Sequence, residues 1–235
     1  MTYLSPNQLK QYEDEGFVSP LDVFSKEKSK EIRDEIELIE KQMPNELEKD
    51  GRYNAHLISP LLDWVTHHPS ILNTVESLIG KNILVCGTTL FIKNPNIKGF
   101  VSYHQDAKYI GLEPHNWVTA WVAITDSNEN NGCMKMWSGS HKENLKDHDQ
   151  MFNEGNLLTR GQTVNDVPKS ETTPLILKAG QMSLHHPKVV HGSDLNKSND
   201  RRIGFVIQSY IGTNVKQVLG KNSVQLARGE DKYNY

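Results

Sequence analysis

His104 and Asp106 stand two residues apart in HQDAKYIGL, and His191 closes the apolar run of HHPKVVHGSD. In a strand, residues i and i+2 share a face, so this imidazole and carboxylate would point together into a core or together out of it. Pointed inward, they offer one nitrogen and one oxygen donor, too few to hold a divalent ion firmly without a partner from another strand. His191 is the candidate, because an unpartnered imidazole behind Val189 and Val190 is costly. Two histidines and one carboxylate on a face of an octahedron form the donor set of non-haem Fe(II) oxygenases, with positions left for a co-substrate and O2. The chain has 10 histidines, so a chance HxD is not rare and the pair alone carries little.

Arg202 adds to it. The residue lies eleven positions after His191, at the head of RRIGFVIQSYI. A charge there is ordinarily solvated, but a guanidinium fork aimed into a barrel suits the far carboxylate of a dicarboxylic acid such as 2-oxoglutarate. Ser193 could add a hydroxyl bond to the same group. Arg201 competes for the role, since one step along a strand reverses the face presented.

Around these residues the readings are double. Trp117, Thr119 and Trp121 alternate with Val118, Ala120 and Val122, giving an aromatic-polar face and an aliphatic one, and the Trp121 face either looks into the site or packs a core. Tyr109 and His115 line the mouth or are plain surface residues. Gln208 shares parity with Arg202, and an inward amide there would touch co-substrate or substrate. Tyr109, Trp121 and Gln208 are therefore the candidate substrate contacts, with Lys108, Asn116 and Lys135 as further possibilities that nothing local forces. His185 shares parity with His191, but Pro187 is expected to break the register between them. His141 in GSHK is read as structural, and Met134 and Met136 as core.

The elements that must position these groups change character along the chain. SPNQLKQYEDEGF reads as a helix capped by Ser5 or Asn7, with Pro6 early and Gly16 as a stop. SKEKSKEIRDEIELIEKQM predicts a second helix, with Ser25 as N-cap and an apolar stripe of Ile32, Ile36, Leu38 and Ile39. HPSILNTVESLIGK predicts a third, ending at Gly80. From about residue 82, ILVCGTTLFIK, WVTAWVAIT, CMKMW, TPLILK, QMSLHH and IGFVIQSYI are short, β-branched and aromatic. Helices ahead of strands argue against a parallel βαβ sheet and for a jelly roll with a helical flank. The polar, aperiodic stretch 143–173 is either a lid or a surface excursion.

The 235-residue chain is 36% apolar and carries 26 basic against 29 acidic residues, a formal charge of −3 with the signs interspersed. That disfavours a nucleic-acid or anionic-membrane partner. No apolar run is long enough for a membrane span, and the start lacks a signal-peptide layout, so a soluble cytoplasmic protein is expected. Cys86 and Cys133 are expected to remain thiols.

HQDAKYIGL, WVTAWVAITDSNENNGCMKMWSGSHK and HHPKVVHGSDLNKSNDRR together resemble the phytanoyl-CoA dioxygenase family of iron- and 2-oxoglutarate-dependent oxygenases. LSPNQLKQYEDEGFVSPLDVFSKEKSKEI resembles that family's opening helices, so the likeness covers most of 4–211. The family's NGC turn and PGSH are matched by NGCMKMWSGSH, with Trp137-Ser138 in place of the usual apolar-Pro pair. The resemblance implies a double-stranded β-helix of the jelly-roll kind in a single domain over 1–235, with a helical flank to about 80 and a core over about 82–212. It implies His104, Asp106 and His191 as iron ligands and catalytic residues, Arg202 and Ser193 as the 2-oxoglutarate clamp, and Lys93 on the preceding strand as a further contact. Related halogenases carry a small residue where Asp106 stands, so hydroxylation is implied. The expected activity is hydroxylation of an unactivated C–H of a small polar metabolite, of aminophosphonate or amino-acid type, using Fe(II), 2-oxoglutarate and O2 and releasing succinate and CO2. A cupin-type metal enzyme without 2-oxoglutarate is the rival, as is a non-catalytic metal- and ligand-binding member; Arg202 argues against the first and an intact triad against the second.

Overall fold

Local capping sets the first two helices. In the computed structural model, which describes residues 3–44, 52–158 and 161–233, Ser5 caps α1 (Pro6–Glu15) by accepting from the Gln8 amide. The Gln8 side chain accepts in return from the Ser5 amide, and Gly16 ends the helix in the left-handed region at φ 84°. Ser25 caps α2 (Lys26–Gln42), whose Ile32, Ile36 and Ile39 are buried. Leu38, expected in that stripe, is 47% exposed; at 3.6 residues per turn it falls off the face that Ile32, Ile36 and Ile39 share.

Between these helices runs an unexpected strand, β1 (Phe17–Asp22). Its Pro20 argues against a central strand, and β1 is indeed an edge, with a register break between Val18 and Leu21. After α2 come α3 (Pro60–Thr66), not among the expected helices although Ser59 caps it and Pro60 opens it, and α4 (Pro69–Ile79), which Gly80 terminates as expected. The remaining chain is mostly strand: β2 (Ile83–Val85), β3 (Thr88–Lys93), β4 (Val101–His104), a helical turn α5 (Ala107–Ile110), β5 (Leu112–Glu113), β6 (Trp117–Ala123), β7 (Met134–Trp137), β8 (Asp149–Gln150), β9 (Gln162–Thr163), β10 (Thr172–Pro174), β11 (Gln181–His185), β12 (Val190–Ser193), β13 (Arg202–Gly212), β14 (Lys216–Gln217) and β15 (Gln225–Arg228). Of TPLILK only the first two residues, Thr173 and Pro174, belong to β10; Leu175 and Leu177 leave the strand yet stay buried.

The architecture is mainly β with flanking helices. A seven-stranded sheet runs β1-β11-β6-β13-β2-β15 with β3 also on β13, and a four-stranded sheet runs β10-β7-β12-β4. Strand pairing thus reaches outside 82–212, to β1 on one side and β15 on the other. Val118, Ala120 and Val122 of β6 point under the helices, packing with Ile32, Ile36, Leu62 and Val75. Each of the valines, leucines and isoleucines among them, when fully buried, contributes about 1.5–3 kcal/mol. From the opposite face Phe17, Trp121 and Val206 meet Met134, Met136 and Val189 of the smaller sheet and its approach. The alternation in WVTAWVA therefore separates a core face from a face toward the second sheet.

Residues 1, 2, 45–51, 159, 160, 234 and 235 lie outside the described residues. The stretch 143–173 is consequently described only in part, and so are the expected flank to residue 80 and the domain over 1–235. Cys86 and Cys133 are free thiols. No helix among the described residues is long and apolar enough to cross a membrane.

Candidate active site

One end of the space between the sheets opens as a cavity of about 480 Å³. β4 and β12 of the smaller sheet are antiparallel neighbours and set His104 directly opposite His191, with ring centroids 4.2 Å apart. β4 ends at His104, and Asp106 has helical backbone angles, φ −57° and ψ −38°, just ahead of α5. The shared-face argument for an extended HxD is therefore corrected: a strand-to-helix turn, rather than strand parity, swings the carboxylate back over the imidazole. The outcome is the same convergence. Nε2 of His104 lies 3.4 Å and Nε2 of His191 3.9 Å from Asp106 Oδ1, and one donor atom from each of the three lies within 4.8 Å of the others.

The donor set fits a divalent metal. His104 Nδ1 donates to the Ser102 carbonyl at 2.9 Å and His191 Nδ1 to the Val189 carbonyl at 3.1 Å. A carbonyl only accepts, so each Nδ1 carries the proton and each Nε2 presents its lone pair to the same point. Burial, with His104 close by, pushes His191 down to about 3, favouring the neutral ring that ligation requires. Burial raises the Asp106 carboxyl, but the surrounding imidazoles of His191, His104 and His185 outweigh it and hold the group well below the usual range.

Arg202 lines the far side of the cavity, and Lys93, not itself a lining residue, lies buried beside it behind Ser193. Arg202 is 1% and Lys93 2% exposed, and the two are directly paired between β13 and β3. Lys93 Nζ donates to the Ser193 hydroxyl at 2.7 Å and to the carbonyls of Gly132 and Asp194. Arg202 donates from Nη1 to the Gly132 carbonyl at 2.8 Å and stacks over Trp121, while its Nε has no partner. A buried guanidinium that meets only a carbonyl and an indole is poorly compensated, and an anion is the ligand that suits it. Arg201 points the other way, to Glu37 and Glu40 of α2.

Trp121, Tyr109 and Gln208 also line this cavity, and Trp121 at the same time packs in the apolar cluster between the sheets. Gly204 makes room for Trp121: a Cβ there would run into the indole. His115, Lys108, Asn116 and Lys135 are not among the lining residues; Lys135 instead pairs with Asp194, and Asn116 with Asn214. His141 serves structure, meeting the Glu13 carbonyl beside α1. Met136 is fully buried, and Met134, nearly so, touches the cavity.

Four contributions escaped the sequence. His185 was set aside on account of Pro187, yet its Nε2 lies 3.3 Å from Asp106 Oδ2; the shared parity with His191 was the available signal. Thr119 donates to the same Oδ2 at 2.8 Å, and its position on the Trp121 face was legible. Tyr53 and Asn54 before β2, and Leu219 to Asn222 after β14, complete the wall with Leu157 and Leu158; no periodic pattern marks any of these loops. Gln105, the middle residue of HQD, is fully buried. Its side chain donates to the Lys188 carbonyl and accepts from the Lys146 amide, and its own amide donates to His148.

Comparison with known proteins adds a consistent set of likenesses. Residues 12–204 match the family described as phytanoyl-CoA dioxygenase. The peroxisomal phytanoyl-CoA dioxygenase of Mus musculus is 28% identical over 264 residues, spanning 99% of this chain and 78% of that protein. Matches to the bovine, human and rat proteins of the same name cover 41% of their lengths. A solved non-heme monooxygenase, ThoJ in its apo form, is 30% identical with a TM-score of 0.84, covering 94% of this chain and 84% of its own. CytC3 solved with Fe(II) and alpha-ketoglutarate shares the fold, with a TM-score of 0.73 at 23% identity over 99% and 91% of the two chains.

Proposed function

The chain belongs to the phytanoyl-CoA dioxygenase family of iron- and 2-oxoglutarate-dependent oxygenases, and on that premise we propose that it hydroxylates an unactivated C–H bond of a small polar metabolite. The observation that carries this is the meeting, in one cavity, of a His104–Asp106–His191 cluster with the buried guanidinium of Arg202, which pairs with no carboxylate among the described residues. On the same reading the two packed sheets are a jelly-roll core and the chain is one domain.

Fe(II) and 2-oxoglutarate, when bound, supply an oxidant from O2 as 2-oxoglutarate is converted to succinate and CO2. This chain's residues do the rest. His104 and His191 offer Nε2 and Asp106 offers Oδ1. Arg202 and Ser193 would hold the far carboxylate, with Lys93 supporting Ser193 from behind, and the fork of Arg202 would fix its orientation. Trp121, Phe91 and Val206 wall that end against water, which strengthens each charge contact inside. Toward the mouth, Tyr109, Gln208 and Asn54 face the substrate, and Lys221 at the rim suits an acid group such as a carboxylate or phosphonate. The volume of about 480 Å³ falls within the range of about 300–1,000 Å³ usual for small-molecule sites.

The experiment is succinate release from 2-oxoglutarate, with Fe(II), ascorbate and a panel of amino acids and phosphonates. Turnover that requires Fe(II) and rises with one of these compounds is the expected result. Failure to bind 2-oxoglutarate or to form succinate with any of them would remove the proposal.

Co-substrate binding should also take up a proton. Burial and the Arg202 charge push the Lys93 ammonium down from 10.5 to about 6, against weaker pulls from Asp194 and Cys133. A carboxylate arriving beside Lys93 favours the protonated amine. Above about pH 6 the free site therefore holds less proton than the bound one, and 2-oxoglutarate affinity falls as pH rises further, by at most about tenfold per pH unit. Calorimetric titration in two buffers of different ionisation heat measures the uptake, which Lys93→Met should remove.

A further inference from the structure

Thr119 and His185 face each other directly across β6 and β11, and both reach the same oxygen of Asp106. The Thr119 hydroxyl is 2.8 Å and His185 Nε2 3.3 Å from Oδ2. The other oxygen, Oδ1, is the one turned toward Nε2 of His104 and His191. The carboxylate is thus asymmetric in its surroundings, with two imidazole lone pairs on one side and two potential donors on the other.

The hydroxyl is not sufficient by itself. Thr119 Oγ1 has one proton and also lies 2.8 Å from the Gln208 carbonyl, so a single donor serves two acceptors. His185 is the second donor within reach. It is 1% exposed, and both its ring nitrogens lack an aligned hydrogen-bond partner. A buried imidazole in that condition costs stability unless a group it faces makes use of it, and the polar atom it faces is Oδ2. Its ring is packed 4.7 Å from that of His191, and its strand is held on the outer side by β1, where Phe17 is its cross-strand neighbour. The side chain is therefore set in place by both sheets.

We propose that Thr119 and His185 are positioning residues for Asp106, engaging Oδ2 together so that the carboxylate offers the metal Oδ1 alone. A carboxylate free to rotate could grip the ion through both oxygens and so occupy a position that the co-substrate or O2 needs. Holding one oxygen from behind prevents this. The inference rests on the metal-centre reading above, since without an ion the distinction between the two oxygens has no consequence.

The test is an anaerobic Co(II) titration of the full-length protein with 2-oxoglutarate present, followed by visible absorption, which reads coordination number without turnover. Removing partners behind a metal ligand usually weakens metal binding by about 10–100-fold. The Thr119→Val/His185→Phe double variant is expected to bind Co(II) that much more weakly and to shift the visible bands, whereas Thr119→Ser and His185→Gln, which keep a donor, retain the wild-type spectrum. Should the double variant fail to fold, Thr119→Val alone against Thr119→Ser decides by the same band shift. A folded double variant that titrates and absorbs like the wild type overturns the positioning role alone. A wild-type protein that takes up no Co(II) overturns the metal-centre reading and this inference with it.

Discussion

Arg202→Met is expected to weaken 2-oxoglutarate binding by roughly 30-fold to several-thousand-fold while leaving the empty protein as stable as before or more so. The first half follows from burial: taking away one member of a desolvated, hydrogen-bonded charge pair costs about 2–5 kcal/mol, with each 1.4 kcal/mol worth about tenfold in affinity. The second follows from what Arg202 meets in the unliganded cavity. Its assigned bond goes to the Gly132 carbonyl, its Nε has no partner, and Lys93 is the neighbouring charge. Burial already pushes the guanidinium down to about 10. An apolar side chain of similar length removes that uncompensated charge. Equilibrium titration and a thermal melt of the same sample separate the two effects. Arg202→Lys should rescue little, because an ammonium cannot supply the two-pronged fork. Binding within a few-fold of wild type would move the anchor elsewhere, though not to Arg201, which Glu37 and Glu40 already engage.

Asp106→Ala and His191→Ala should each abolish retention of Fe(II) or Co(II) after gel filtration and lower succinate formation by more than about 100-fold, beyond the loss usual for partners behind the ligands. Asp106 has the larger expected effect. It supplies the negative charge in a pocket otherwise lined by three imidazoles, with the rings of His104 and His185 4.2 and 4.7 Å from that of His191. Asp106→Asn keeps the shape without the charge and should likewise fail to hold metal. Metal content by mass spectrometry, read beside circular dichroism to confirm folding, checks both; a variant that keeps stoichiometric metal would take that residue out of the cluster.

The ligand triad and the cation could be read from the sequence because chemistry restricts which residue types serve, and His104, Asp106, His191 and Arg202 each carry a type that is expensive to bury without a purpose. The geometry behind the first pair was not legible. A period-two argument assumes an extended backbone, and Asp106 has already turned helical. Choosing between Arg201 and Arg202 needed the helix α2, whose acidic face claims the former. The faces of Thr119 and His185 were legible, but not that the two meet at one oxygen of Asp106: that depends on the β6–β11 register, which is set by distant packing rather than by either segment. β1 was hidden by its own Pro20, a residue that an edge strand tolerates, and the loops at Tyr53 and Leu219 have no periodicity to find. Helices α1, α2 and α4 were readable because capping and apolar spacing are local properties.

Gln105 occupies the place in HxD that pattern searches treat as a wild card. Here its amide group ties the stretch around Lys146 and the turn at Lys188 to the residue lying between two candidate ligands. The surface stretch and the turn leading from His185 to His191 are consequently latched to one side chain, and neither can move away without giving up a hydrogen bond to the buried Gln105. A motif's apparent spacer is thus the clasp that holds two separate segments against the candidate ligands.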